Sequence, residues 1–239
     1  IGQFGVGFYS ALMVADTVTV ESLSALPDAE PVCWSCDGST NYTLSKGSRE
    51  TRGTDVILQM REDALEFAEL DALRNIIRKH SEFIRYPISL DENVVNEPDA
   101  LWTRDPKTIS DEEYGAFYRH ATGDWGEPAA WLHVRADAPL QYRTVLFFPA
   151  QAPFDLNYPD GKRPLKLYAR RVLIEEEARF LLPEYLRFVR GVVDTEDLEL
   201  NVSREMVQQT PVVQVLKTQI TNRVLKRLKD LAKKDSETY

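Results

Sequence analysis

Apolar residues fall into short alternating runs early in the chain and into helical spacing later. Phe8–Ala15 is a compact apolar run directly behind Gly2-x-x-Gly5-x-Gly7 and predicts a short helix. Thr17–Ser22 alternates and is β-branched, so it predicts a strand. Val32–Cys36 and Asn41–Leu44 flank the turn-forming Asp37-Gly38 like the arms of a hairpin. Gly53–Leu58 is a further strand. Leu70, Leu73, Ile76, Ile77 and Phe83 recur at helical spacing and predict a helix over Leu65–Phe83, stopped before Tyr86-Pro87. The polar stretch Asp91–Ala100, with Pro98, is the natural linker.

A second region opens at Trp102. Ser110 followed by Asp111-Glu112-Glu113 predicts a capped helix through Tyr118. Trp131–Val134, Arg143–Phe148 and Lys166–Val172 predict strands, the last ahead of a helical Glu175–Phe180, and Leu186–Val192 is an apolar run. In Pro211–Ala232, Val213, Leu216, Ile220, Val224, Leu228 and Leu231 form one stripe of a long amphipathic helix. Its Lys and Arg residues are expected to be a solvated face rather than a nucleic-acid contact. The resulting class is α+β or α/β, with a break near residue 95.

A length of 239 residues fits one or two domains at roughly 100–200 residues each. With 43% apolar and 28% charged residues the balance is that of a globular chain. The net charge of −9 argues against a general nucleic-acid binder. No apolar run reaches the ~18 residues of a membrane span, so no membrane partner is expected. The chain opens on Ile1 inside a glycine-rich motif, from which further upstream sequence is expected. Cys33-x-x-Cys36 lacks a second pair for zinc, and His80, His120 and His133 show no ligand spacing. The pair is expected to be two reduced thiols of a cytoplasmic protein, and no metal site is assigned.

Two motifs carry candidate chemistry. In Gly2-Gln3-Phe4-Gly5-Val6-Gly7-Phe8 the glycines let backbone N–H groups approach phosphate oxygens, and a following helix adds its positive end. The same run is open to two other readings. One is an ordinary turn before a helix. The other is a dinucleotide fingerprint, Gly5-x-Gly7-x-x-Ser10, with Glu21 as the ribose-binding acid and an oxidoreductase as its consequence. The second motif is Asn201–Gln209. Ser203 is a plausible helix cap, but Arg204 then faces the positive end of the helix dipole, at a cost of about 0.3–1 kcal/mol. Arg204 is either held there for an anion or is a plain surface arginine. Gln208 lies one turn on, on the same face.

These motifs resemble the heat-shock protein 90 family. Ile1–Ser10 with Ala15-Asp16 is similar to its third nucleotide motif, Arg52-Gly53-Thr54 to its fourth, and His80–Ile88 to the close of its ATPase domain. Trp102-Thr103-Arg104, Glu112-Glu113-Tyr114, Ala152–Asp155, Lys166-Leu167-Tyr168, Phe188–Asp194 and Asn201–Gln209 resemble its middle domain, in family order. The short linker resembles the bacterial branch. The resemblance implies residues 1–90 as the C-terminal part of a GHKL-type ATPase domain, an antiparallel sheet with helices on one face. It implies 91–101 as linker and 102–239 as an incomplete α/β middle domain with a helical segment. It further implies ATP bound by Gly2, Gln3, Phe4, Gly5, Val6, Gly7, Phe8 and Thr54. Arg204 would contact the γ-phosphate, with Gln208 beside it, and Trp125 and Phe154 would hold client proteins. Mg²⁺, its ligand and the general base would lie upstream, and homodimerisation would use a further domain. The implied activity is that of a cytoplasmic, stress-related ATPase chaperone for unfolded proteins, with this chain by itself inactive in hydrolysis. A non-enzymatic protein-binding module remains the alternative.

Overall fold

The structure is a computed structural model that describes residues 7–153, 156, 165–198 and 210–235. The chain divides into two compact units at Ile76/Ile77. The polar 91–101 stretch therefore lies within the second unit.

In the first unit the short helix expected over Phe8–Ala15 is a 3-10 helix, Gly7–Met13. It leads into β1 (Ala15–Leu23), β2 (Val32–Cys36), β3 (Thr43–Lys46) and β4 (Gly53–Met60). The sheet order is β3-β2-β1-β4, and every pairing is antiparallel. The expected hairpin forms, with Gly38 at φ 85° and the Asp37 carboxylate accepting from the Ser39 N–H at 3.0 Å. Its second arm starts two residues later than expected. The helix expected over Leu65–Phe83 is split into a 3-10 turn, Glu62–Ala68, and α1, Leu70–Ser81, with Glu69 extended between them. Leu65 lies five residues before Leu70, off the i, i+3, i+7 stripe of Leu70, Leu73 and Ile77, so it adds nothing to that face. No residue of α1 is buried.

The second unit begins with the C-terminal end of α1 and a tied polar segment. β5 (Ser89–Leu90) and β6 (Asn93–Val94) form a small hairpin around Asp91 and Glu92, both at positive φ. Asn96 is buried and uses its whole amide. Its Oδ1 accepts from the Ile88 N–H at 2.7 Å, and its Nδ2 donates to the Ile84 and Tyr86 carbonyls at 3.2 and 3.0 Å. Then come α2 (Asp111–Thr122), β7 (Pro128–Ala136), β8 (Tyr142–Pro149), β9 (Leu165–Ala169), β10 (Val172–Glu175), β11 (Arg190–Thr195) and α3 (Pro211–Lys234). Ser110 and Glu113 close a reciprocal capping box at the start of α2, and Gly123 ends it in the left-handed region.

The five strands order as β10-β9-β11-β8-β7, antiparallel except for β9 beside β11. Strand alternation divides this sheet between two cores. Val145, Phe147, Tyr168 and Val192 face α2 with Phe83, Trp102, Phe117 and Tyr118. Leu146, Phe148, Leu167 and Val193 face Val213, Leu216, Ile220 and Val224 of α3. The result is a helix–sheet–helix sandwich, in which each fully buried Leu, Val or Phe side chain contributes about 1.5–3 kcal/mol.

Two expectations in this unit are corrected. Lys166–Val172 is two strands, turned at Arg170 and Arg171 with φ 51° and 67°. No glycine marks that turn; Arg171 is held by donating to the Pro98 carbonyl at 2.6 Å and from its N–H to Asp194 at 3.1 Å. Glu175–Phe180 is not a helix, and only short 3-10 turns follow, at Arg179–Leu181 and Glu184–Leu186.

Candidate functional site

Gly2, Gln3, Phe4, Gly5 and Val6 lie outside the described residues; Gly7, Phe8 and Thr54 are placed. The register of the first sheet puts Trp34, Val20 and Val56 in one row and Val32, Ser22 and Thr54 in the next. Paired residues, and residues two apart, point to the same face. Phe8 packs edge-on against Trp34 with ring centroids 5.6 Å apart, and Trp34 stacks on Tyr42 at 6.3 Å. Phe8 and Thr54 therefore belong to one face, an aromatic platform beside two hydroxyls. Those hydroxyls, Ser22 Oγ and Thr54 Oγ1, are 2.8 Å apart. Such a face can stack a planar ring and hydrogen-bond its edge. Trp34, Tyr42 and Ser22 were not singled out from the sequence. The signal for Trp34 is the period-2 alternation of β2, which puts it on the face of Val32 and Cys36, opposite Cys33 and Ser35.

Glu21 falls in the neighbouring, oppositely facing row and accepts from Ser48 Oγ at 2.7 Å and the Ser48 N–H at 3.3 Å. The dinucleotide reading is corrected by this sheet. That fingerprint needs a parallel strand–helix–strand unit, whereas β1 is antiparallel to both its neighbours. Cys33 and Cys36 are free thiols. Among the described residues no group of three His, Cys, Asp or Glu side chains is placed to hold a metal, so none is assigned to Mg²⁺.

In the second unit, Trp125 is 91% exposed, the most exposed large apolar residue described. Its loop is fixed on both sides. The Asp124 carboxylate accepts from Tyr118 Oη at 2.5 Å and from the Gly126 N–H at 3.0 Å, while the Asp124 N–H donates to Thr122 Oγ1 at 3.1 Å. The hydroxyl of Tyr118 holds the Asp124 carboxyl below the usual carboxylate range. Phe154, Arg204 and Gln208 lie outside the described residues. The described ends around Arg204 are anchored. Thr195 Oγ1 donates to the Gln141 carbonyl at 2.9 Å, the Gln141 N–H donates to Asp197 Oδ2 at 2.6 Å, and Thr210 caps α3 at Val213.

The pKa values of two histidines of this unit are shifted in opposite directions. His120 Nε2 lies 2.9 Å from Glu82 Oε1, and that bond raises its pKa against a smaller opposing effect of burial. His133 sits between Tyr114 Oη at 2.7 Å and the Trp102 carbonyl at 3.2 Å, and burial lowers its pKa. The His120 contribution is complete below the ordinary histidine value of about 6.5 and is lost as pH rises through the raised folded value. The His133 contribution is complete above about 6.5 and is lost as pH falls toward the lowered folded value. Because the His120 ring is half exposed, its effect should be no more than about 1 kcal/mol. Urea midpoints between pH 6 and pH 9 should fall more in wild type than in Glu82→Gln. Identical slopes would show that the pair does not couple to folding.

Residues 89–239, which lie within the second unit, match the family described as Hsp90 protein. The chain belongs to the Hsp90 family. Over its whole length it is 45% identical to chaperone protein HtpG of Vibrio vulnificus and covers 40% of that relative. It is 45% identical, again over its whole length, to chaperone protein HtpG of Roseobacter denitrificans, covering 38% of it. With chaperone protein HtpG of Vibrio parahaemolyticus the identity is 44% and the share covered 40%. This Hsp90-family chain thus spans about 40% of the length of these relatives. Among the described residues no helix is long and apolar enough to cross a membrane.

Proposed function

We propose that this chain is part of an ATP-driven chaperone in which residues 1–90 complete a GHKL-type nucleotide domain, 91–101 connect, and 102–239 form most of a middle domain. The observation that carries the client-binding half of this reading is Trp125, an indole almost wholly in solvent on a loop pinned at both sides. Exposed aromatic area offers non-native chains apolar contact without first having to be ordered. Phe154 would extend that surface. The platform of Phe8 and Trp34 with the Ser22 and Thr54 hydroxyls supports adenine binding, with Gly2–Gly7 supplying N–H groups to the phosphates. When bound, the nucleotide with Mg²⁺ supplies the phosphoryl group. This chain's Arg204 would balance charge on that group when the domains dock, with Gln208 beside it. Dimerisation would use residues outside this chain, and a cytoplasmic location follows the same reading.

Two measurements test the halves separately. In the full-length protein, Arg204→Ala should lower kcat for ATP at least tenfold while leaving nucleotide Kd within twofold, because the contact forms only near the transition state. Lys at this position should rescue poorly, lacking the planar two-pronged donor. A kcat loss matched by an equal loss of nucleotide affinity would remove Arg204 from this role. With the chain itself, Trp125→Ala should weaken suppression of aggregation of a denatured client several-fold without changing the urea midpoint. Unchanged suppression would return Trp125 to an ordinary surface residue. A chain that suppresses aggregation with no dependence on ATP would favour the non-enzymatic binding module for this segment.

A further inference from the structure

Beside the C-terminal half of α3, the five-stranded sheet leaves an open groove of about 470 Å³. It is lined by Ala130 and Phe148 of the sheet, Leu225 and Leu228 of α3, and Tyr185 and Phe188. Tyr185 is 64% exposed, so much of its ring stands in solvent. The volume suits a ligand or an anchoring side chain, but small-molecule sites add a few converging polar groups that fix orientation. Among the described lining residues the only side-chain polar atom is the Tyr185 hydroxyl. An apolar groove of this kind matches the side chains of a peptide segment.

The charge around it identifies the chemistry of that segment. From residue 223 onward α3 carries Arg223, Lys226, Arg227, Lys229, Lys233 and Lys234 against Asp230 alone. At 100° per residue, Lys226, Lys229 and Lys233 form an i, i+3, i+7 stripe on the solvent side of Leu225, which stands between that stripe and Leu228. All three are exposed. Arg227 points the other way, donating to the Trp131 carbonyl at 3.2 Å. Next to Tyr185 in the chain, Glu184 is paired with Arg187 at 2.8 Å. A stripe of three lysines on a chain of net charge −9 is a local positive feature, felt over about one Debye length of 8–10 Å. We propose that this groove docks a short segment of another protein whose large apolar anchors are flanked by acidic residues. The proposal uses neither Trp125 nor any step of ATP hydrolysis, and it stands without the reading proposed above.

The test uses three fluorescein-labelled synthetic peptides against this chain. One carries a Phe-x-x-Leu anchor pair flanked by Asp and Glu, the second replaces those acids with Lys, and the third replaces the anchors with Ser. The acidic-flanked peptide should bind with a Kd in the tens of micromolar, weakening several-fold between 50 and 300 mM NaCl, while the other two bind at least tenfold more weakly. Tyr185→Ala should weaken binding about fivefold with an unchanged urea midpoint. The triple exchange Lys226→Glu, Lys229→Glu, Lys233→Glu lies wholly on exposed positions. It should reverse the preference to the Lys-flanked peptide, which a loss of folding would not do. Equal binding of acidic and basic peptides, or no binding up to 1 mM, overturns the proposal. Concentration-dependent self-association abolished by Tyr185→Ala overturns it as well, since a second copy would then be the occupant.

Discussion

Gly191→Ala should destabilise the second unit by about 4 kcal/mol or more, placing it among the most damaging single substitutions. Gly191 lies in β11, the central strand of the five, paired with Leu146 on one side and Leu165 on the other. Its φ of 129° is a conformation that L side chains rarely adopt. A Cβ there would stand 2.1 Å from the Val145 carbonyl oxygen and 3.1 Å from Leu146 Cα. Both neighbours are backbone, so no flexible side chain can move aside. Relief requires β8 to shift, and β8 carries Val145 and Phe147 into one core and Leu146 and Phe148 into the other. Strain of about 1–3 kcal/mol at the residue itself is thus added to the repacking of two cores. Against a total stability of about 5–15 kcal/mol, the variant should unfold at low urea or fail to accumulate folded. A midpoint shift worth less than about 1 kcal/mol would mean that β8 and β11 can separate locally.

Where one physical rule dominated, the sequence was legible. The α3 stripe, the Ser110 capping box and the Asp37-Gly38 turn each express a local preference that the fold reinforces, and each stands where expected. β1, β2 and β4 stand where the sequence predicts strands, but their antiparallel order is set by register rather than by those runs. Long-range partners decide the rest. Arg170 and Arg171 contain no turn signal; the contacts of Arg171 with Pro98 and Asp194 come from far along the chain. Asn96 looks like linker polarity in sequence, yet its amide satisfies three backbone groups of residues 84–88 in a buried site. Phe83 fits the helical spacing of α1 but lies beyond its end, against Trp102 with centroids 4.6 Å apart. The candidate sites divide similarly. Trp125 and Thr54 are candidates through motif likeness, whereas Trp34 and Tyr42 become candidates only when register aligns the strands.

Trp102 should be the most sensitive large side chain of the α2-facing core. It is fully buried, with Phe83, Tyr168 and Phe117 at centroid distances of 4.6, 5.1 and 5.9 Å. Its Nε1–H donates to Asp194 Oδ2 at 2.9 Å. Asp194 is itself buried, and burial raises its pKa while the indole and the Arg171 N–H pull it back. Trp102→Ala should cost about 3–5 kcal/mol through lost contacts and the cavity left behind. Trp102→Phe retains most of the packing and removes the donor, at about 1.5–3 kcal/mol for a bond to a charged group. The two losses differ in their pH dependence. A carboxyl whose folded pKa is raised contributes stability that is complete below the unfolded value of about 3.9 and is lost as pH rises through the folded value. Removing the indole N–H raises the folded value further, so Trp102→Phe should lose more stability, relative to wild type, as pH rises from 4.5 to 7. Asp194→Asn in the Phe background should flatten that slope, because the replacement carries no charge to bury. Urea midpoints of wild type, the Phe variant and the double variant at both pH values measure it. A Phe penalty independent of pH would show that the indole serves Asp194 only as packing, and that the buried charge is held by Arg171 instead.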